Sequence, residues 1–123
     1  MPGAYPRVPE SVLLRNESSK ADEARFTDAT TLVAPDLQRV GLVTAALWAD
    51  VDNDGWTDLW VACEWGPPRL FHNRQGTLHD ATTEAGLSGL DGWWTSLTTG
   101  DFDRDGDLDC VALNTGLNTK YGK

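Results

Sequence analysis

Two short acidic stretches in this chain carry the residues that could do chemistry. Aspartates occupy positions 1, 3, 5 and 9 of the stretch DVDNDGWTD, which covers residues 50–58. The stretch DFDRDGDLD, residues 101–109, has aspartates at the same four positions and one more at position 7. Position 6 is glycine in both, Gly55 and Gly106. Glycine adopts the backbone of a sharp turn at low cost, so both stretches are predicted to be tight loops.

This spacing suits a hard divalent cation. Carboxylates crowded this closely repel one another unless a cation lies between them. Calcium takes six to eight oxygen ligands at roughly 2.3–2.6 Å, and a looped backbone directs alternate side chains inward. We therefore predict two calcium sites in which position 7 offers its backbone carbonyl. The predicted ligands are Asp50, Asp52, Asp54, Trp56 and Asp58 in the first loop, and Asp101, Asp103, Asp105, Asp107 and Asp109 in the second.

Two other interpretations of these loops compete with that prediction. They could be acidic Asp-Gly turns in exposed hairpins that hold no ion. They could also be EF-hands, which open with the same pattern but close the ligand shell with a bidentate glutamate at position 12. Position 12 is Val61 in the first loop and Ala112 in the second, and neither side chain can ligate. The flanking segments are short and rich in strand formers, so each loop is predicted to connect a β-hairpin.

Composition limits the classes of partner. The chain has 123 residues, enough for one domain, and a formal net charge of −9. The two loops hold nine of the 19 acidic residues, so metal binding explains the negative charge better than a basic partner does. Without a basic patch, a nucleic-acid partner is not expected. No apolar run has the length of a membrane span, and the N-terminal residues lack the pattern of a signal peptide.

The remaining reactive or aromatic residues favour structural roles. Cys63 and Cys110 occupy different repeat positions, which favours free buried thiols over a disulfide. The six tryptophans favour packing, with Trp93 and Trp94 the best candidates for a surface that stacks on sugars.

No catalytic residues are predicted. His72 and His79 have no partnered nucleophile nearby in the sequence and fall in predicted strands, where packing is the simpler role. Asp28 and Asp80 lie in a repeated D-A-T segment and are expected to cap turns or strand ends. Catalytic and phosphate-binding motifs are absent from the sequence, so we do not expect an enzyme.

An internal repeat organises the chain. Gly41, Thr44 and Asp50 recur 51 residues later, the segment FTDAT recurs as LHDAT after 52, and LLRN recurs as LFHN after 57. The difference between the last two spacings indicates a five-residue insertion after residue 16. The pattern predicts these strands: 11–16, 25–30, 43–49, 59–65, 69–73, 77–82, 94–100 and 108–113.

Four short antiparallel strands per repeat predict an all-β fold made of β-propeller blades. Residues 1–34 would be the second half of one blade, its strands three and four. Residues 35–91 would be a complete blade with the first acidic loop. Residues 92–123 would be the first half of the next blade, with the second loop. The chain would then hold about two blade equivalents of a larger propeller.

These features together resemble the FG-GAP/VCBS repeat family. The likeness rests on the two D-x-D-x-D-G-x-x-D loops and on the R/H-N and F/L-x-D-A-T segments. The closer resemblance is to bacterial secreted FG-GAP proteins with an ASPIC/UnbV domain, relatives of cartilage acidic protein. It rests on the segments PGAYPRVPESVLLRN, DGWWTSLTTGDFDRDGDLD and NTGLNTKY. The Phe-Gly and Gly-Ala-Pro signatures of the family do not occur here. The resemblance implies a propeller of seven or eight blades and an extracytoplasmic location.

The expected function is that of a calcium-stabilised, non-enzymatic module that binds a protein or a glycan. The alternative is a piece of a propeller enzyme that acts on polysaccharides. Because two blade equivalents cannot close a ring, the chain is expected to be a fragment of a longer exported protein or one part of an assembly. Its half-blades would then meet further blades in the same protein or the half-blades of another copy.

Overall fold

The computed structural model describes residues 7–116, and residues 1–6 and 117–123 lie outside that description. The elements of the described part follow in this order: β1 (Leu14–Asn16), β2 (Phe26–Asp28), α1 (Thr30–Val33), a 3-10 turn (Pro35–Leu37), β3 (Leu42–Ala49), β4 (Asp58–Gly66), β5 (Arg69–Arg74), β6 (Thr77–Asp80), β7 (Gly92–Gly100) and β8 (Asp109–Asn114).

Four consecutive strands, β3 to β6, form one antiparallel sheet in which each strand pairs with the next. The strand β4 is apolar from Leu59 to Cys63 and is buried along that length. The strands β3 and β5 lie on either side of β4, so the backbone groups of β4 are hydrogen-bonded on both edges. The strand β3 at the edge alternates between exposed and half-buried residues, as expected for a strand with one covered face.

The strands β7 and β8 form a second antiparallel pair. The strand β7 pairs with the end of β4, where Glu64 lies opposite Trp93 and Gly66 lies opposite Gly92. The strands β1 and β2 form a separate two-stranded sheet. The described residues therefore hold one four-stranded unit flanked by two strand pairs.

The predicted antiparallel all-β fold of blade-like units is confirmed. The strands predicted at 43–49, 59–65 and 69–73 match β3, β4 and β5 to within one residue at each end. The division into units 1–34, 35–91 and 92–123 stays a prediction, and the first and last residues of the chain lie outside the description.

The strand predicted at 25–30 was too long. The strand β2 ends at Asp28, and α1 begins at Thr30. The reason is local, because Oδ1 of Asp28 accepts hydrogen bonds from the backbone N–H of Thr30 at 2.9 Å and from its hydroxyl at 2.6 Å. These bonds turn the chain out of the extended conformation. The helical segment that follows contributes the buried residues Ala34 and Leu37 to the core.

Two hydrophobic clusters hold these units together. The first contains the fully buried side chains of Val61 and Phe71, with Ala34, Leu37, Val40, Leu59, Cys63 and Leu78 around them. The second lies where β7 and β8 pack against the four-stranded sheet, and it centres on Trp60, Leu70 and Ala81. Both cysteines are free thiols, as predicted. Burial raises the pKa of Cys63 and of Cys110, which keeps these thiols protonated at neutral pH.

Candidate metal centres

The first acidic loop connects β3 to β4 and gathers its carboxylates at one point. One carboxylate oxygen from each of Asp50, Asp52 and Asp54 lies within 4.8 Å of the other two. Two oxygens bound to opposite sides of one calcium ion are about 4.6–5.2 Å apart, which is twice the metal–ligand distance. The three oxygens are therefore close enough to share a single ion.

Backbone hydrogen bonds shape this loop. The carboxylate of Asp50 accepts one bond from the N–H of Asp54 at 3.2 Å and one from the N–H of Gly55 at 2.9 Å. The chain turns through two residues with positive φ, Asn53 at 58° and Gly55 at 87°. Glycine and asparagine tolerate this left-handed region best, which explains why they occur at these positions.

The second loop, between β7 and β8, repeats the same backbone turn. The carboxylate of Asp101 accepts from the N–H of Asp105 and from the N–H of Gly106, both at 3.1 Å. Positive φ values recur at Arg104, 65°, and at Gly106, 99°. In this loop, oxygens of Asp101, Asp103 and Asp109 lie within 4.8 Å of one another.

The last predicted ligand differs between the loops. Asp58 is 1% exposed, and its two carboxylate oxygens accept backbone hydrogen bonds from Val51 at 3.0 Å and from Asn73 at 2.8 Å. Its counterpart Asp109 is exposed and accepts one such bond, from Phe102 at 3.0 Å. Asp58 thus ties the acidic loop to β5, whereas Asp109 joins the carboxylate group of its own loop.

The position-5 aspartates, Asp54 and Asp105, accept the same backbone hydrogen bond in the two loops. Oδ1 of Asp54 accepts from the N–H of Trp56 at 2.7 Å, and Oδ1 of Asp105 accepts from the N–H of Asp107 at 2.9 Å. The first carboxylate group contains Asp54 but not Asp58, and the second contains Asp109 but not Asp105. The full ligand sets, including the carbonyls at position 7, stay predictions.

A direct contact between the two loops was not foreseen. The side-chain amide of Asn53 donates a hydrogen bond to Oδ1 of Asp107 at 2.9 Å. No sequence signal could have identified this contact, because the partners are separated by 54 positions and neither belongs to a pairing motif.

Within residues 7–116, no lysine or arginine forms an ion pair with a loop carboxylate. His72 lies nearest, with Nδ1 at 3.8 Å from Oδ2 of Asp52. The donors are carboxylate oxygens, the ligand class preferred by hard divalent ions such as calcium. These acidic groups could therefore each hold such an ion.

The two aspartates of the repeated D-A-T segment, Asp28 and Asp80, make the turn-capping contacts that were predicted for them. Asp80 accepts a hydrogen bond from the N–H of Thr82 at 3.0 Å and forms an ion pair with Arg69. Burial alone would raise the pKa of Asp80, but the Thr82 and Arg69 contacts outweigh it and lower the pKa. The hydrogen bonds from Thr30 likewise lower the pKa of Asp28.

The tryptophans differ in how far they are buried. Trp60 is buried, and Trp93 packs against Trp65 with ring centroids 5.3 Å apart. The indole N–H of Trp94 donates to the carbonyl of Leu90 at 3.0 Å. The candidate sugar platform formed by Trp93 and Trp94 is thus half-buried. The more exposed indoles are those of Trp48, Trp56 and Trp65.

Comparison with known proteins agrees with this architecture. A family model described as an FG-GAP-like repeat matches residues 50–112, from the first aspartate of the first loop into β8. A search of curated proteins gave no significant match. Among residues 7–116, no helix has the length and apolar character needed to cross a membrane. The match spans just over half of the chain and includes both acidic loops, so the chain belongs to the FG-GAP-like repeat family.

Proposed function

We propose that this chain is a calcium-binding, non-enzymatic propeller module in which each acidic loop holds one ion. The observation that carries the proposal is the convergence of three carboxylates in each of two loops with the same backbone hydrogen bonds. One such loop would be a common acidic turn. The repetition of the same backbone turn after 51 residues favours the same kind of ligand in both loops.

The ion would act first on stability. It would hold together aspartates that otherwise repel one another at the junction of two strands. At about a hundred times its dissociation constant, a ligand stabilises the folded state by roughly 2.7 kcal/mol per site. Two sites would then supply a large share of the roughly 5–15 kcal/mol that stabilises an ordinary domain. Neither loop has a glutamate at position 12, so the affinity is expected near the extracellular range of roughly 10⁻⁴–10⁻³ M.

The module would serve as a rigid platform for a protein or glycan in an extracytoplasmic setting, within the ASPIC/UnbV-type group of FG-GAP proteins. Calcium of weak affinity favours such a setting, because only there is the free ion abundant enough to occupy the sites. The exposed indole of Trp56, 43% accessible within the first loop, supports an aromatic contact beside the metal.

Thermal unfolding tests calcium binding. The chain is heated in a chelator and in about 10 mM calcium, roughly a hundred times the tighter limit of the expected affinity range. We expect calcium to raise the melting temperature by several degrees and the double variant Asp52→Asn, Asp103→Asn to lose that increase. The matched control is Asp22→Asn, an exposed aspartate outside both loops. An unchanged melting temperature of the unsubstituted chain in calcium would reject the proposal.

Activity assays test the alternative of a polysaccharide-cleaving enzyme. The calcium-loaded chain is incubated with a set of acidic and neutral polysaccharides, and the release of new chain ends is measured. We expect no release above a heat-denatured control. Release that survives purification of the chain would replace the non-enzymatic proposal.

A further inference from the structure

The chain repeats its own strand pairs in the same register. Trp48 pairs with Leu59 between β3 and β4, and Thr99 pairs with Cys110, 51 positions later, between β7 and β8. Both pairs also have a register shift at the same point, between residues 43 and 45 and between residues 94 and 96. The pair β7–β8 is therefore a structural copy of β3–β4.

The pair β1–β2 copies β5–β6 in the same way. Phe71 pairs with Asp80 in one hairpin, and Leu14 pairs with Asp28 in the other. In each hairpin a threonine hydroxyl accepts a hydrogen bond from the backbone of the first strand: Leu13 N to Thr30 Oγ1 at 2.7 Å, and Leu70 N to Thr82 Oγ1 at 3.2 Å. One chain thus contains a first half-blade, β7–β8, and a second half-blade, β1–β2.

The complete unit shows how such halves join. The strands β4 and β5 pair with Leu59 opposite Phe71, and the N–H of Asn73 donates to Asp58. Applied to the copies, this register places Leu14 opposite Cys110. It also brings the N–H of Asn16 to the carboxylate of Asp109.

The surfaces that this pairing would cover are exposed. Within residues 7–116, β8 pairs with β7 and with no other strand. Leu113 on β8 is 53% exposed, whereas its counterpart Ala62 on β4 is 0% exposed. Leu14 on β1 is 57% exposed, whereas its counterpart Phe71 is 0% exposed. An unpaired edge with apolar side chains is a template for another strand.

A mainly apolar groove lies beside β1, on the face of the sheet that the arriving strand pair would cover. It measures about 440 Å³ and lies between residues 11–14 and the face of β3 and β4, where Val43, Ala46 and Val61 line it. On the other side of the same sheet, Leu97 of β7 and Cys110 of β8 pack against the cluster around Trp60. That face of the β7–β8 pair is therefore occupied within its own copy, and the opposite face, which carries the exposed Val111 and Leu113, is the one left to cover the groove.

We propose that the partner of these surfaces is a second copy of this chain. The strand β8 of one copy pairs antiparallel with β1 of the next, and the two half-blades form one four-stranded blade. The contact is head-to-tail, because β8 and β1 are different surfaces, so repeated addition gives a ring or a filament. The inference does not require bound calcium, since it rests on strand register and on the exposed apolar side chains of β1 and β8.

A disulfide trap tests the predicted register. Leu14→Cys is placed opposite the native Cys110, where cross-strand partners come close enough to form a disulfide. The control is Leu32→Cys, which is 73% exposed on α1 and outside the register. Under mild oxidation we expect covalent multimers from Leu14→Cys and none above background from Leu32→Cys. Equal crosslinking of the two variants, or none in Leu14→Cys, would overturn the proposal.

A second variant separates association from folding. Val111→Lys places a charge on the exposed edge strand β8, and Leu32→Lys places one on exposed α1. Mass is measured by light scattering with calcium and with chelator, and the melting temperature is measured in parallel. We expect multimers of the unsubstituted chain, loss of multimers in Val111→Lys, and no change in Leu32→Lys. A strict monomer in both conditions overturns the assembly, while the melting comparison in calcium separately decides the metal proposal.

Discussion

The side-chain amide of Asn53 donates a hydrogen bond to Oδ1 of Asp107, and this 2.9 Å contact joins the two acidic loops. Asn53 also adopts the left-handed conformation, as does Arg104 at the same position of the second loop. The two residues therefore share a backbone requirement but differ in this contact between loops.

Glycine at these two positions should separate the contact from the conformation. Arg104→Gly should stabilise the chain, because it relieves the cost of about 1–2 kcal/mol that a side chain meets in the left-handed region. Asn53→Gly should gain less, because asparagine already tolerates the left-handed region and because the variant loses a hydrogen bond worth about 1 kcal/mol. Urea unfolding in the presence of a chelator measures the free energy of unfolding of both variants. Equal changes in the two variants would show that the contact contributes nothing.

Asp58→Asn should destabilise the chain by about 1–3 kcal/mol even without metal. An asparagine would bring an N–H₂ donor toward the backbone N–H of Val51 or of Asn73, leaving buried polar groups unpaired. The matched variant is Asp109→Asn, which is exposed and accepts fewer bonds. Urea unfolding in a chelator should show the smaller loss in Asp109→Asn, and equal losses would contradict the structural role of Asp58.

Acid should weaken the fold partly through Asp80. Its pKa in the folded chain is lowered, so its contribution is fully present above the unfolded value of about 3.9 and is lost as pH falls below it. Asp80→Asn should therefore flatten the dependence of stability on pH below about 4. Unfolding is followed by circular dichroism from neutral pH downward, with Asp22→Asn as control. A slope unchanged by Asp80→Asn would count against the prediction.

Gly55→Ala should cost about 1–2 kcal/mol through conformation alone. The φ of Gly55 is 87°, and a Cβ built there meets no atom within 4 Å, so no clash contributes. Gly66→Ala is the matched control, because its added Cβ also enters open space but its φ lies outside the left-handed region. Chemical denaturation in chelator should separate them, and similar losses would mean that the loop is not held in this turn.

The sequence predicted the strands well because their ends are marked by chemistry. The first Asp-Gly loop separates β3 from β4, and the segment Gly-Pro-Pro at 66–68 separates β4 from β5, so these strands begin and end where expected. The helix α1 was missed because Asp28 redirects the chain by bonding Thr30, a local contact that competes with the strand.

The candidate site was only partly predictable. Three carboxylates do lie close together in each loop, and the full ligand sets stay predictions. The different environments of Asp58 and Asp109 could not be predicted, because the two nine-residue patterns are the same at these positions. The difference arises from β5, whose Asn73 reaches Asp58 from 15 residues away.

The matched register of the two loop-bearing strand pairs also bears on how the chain reaches its native state. Among residues 7–116, every ladder except that between β4 and β7 joins strands adjacent in sequence. Such local closures lose little chain entropy and form early. Because β8 repeats the register of β4, we expect the two strands to compete for β5 during early folding. The resolution of this competition would set the slow step.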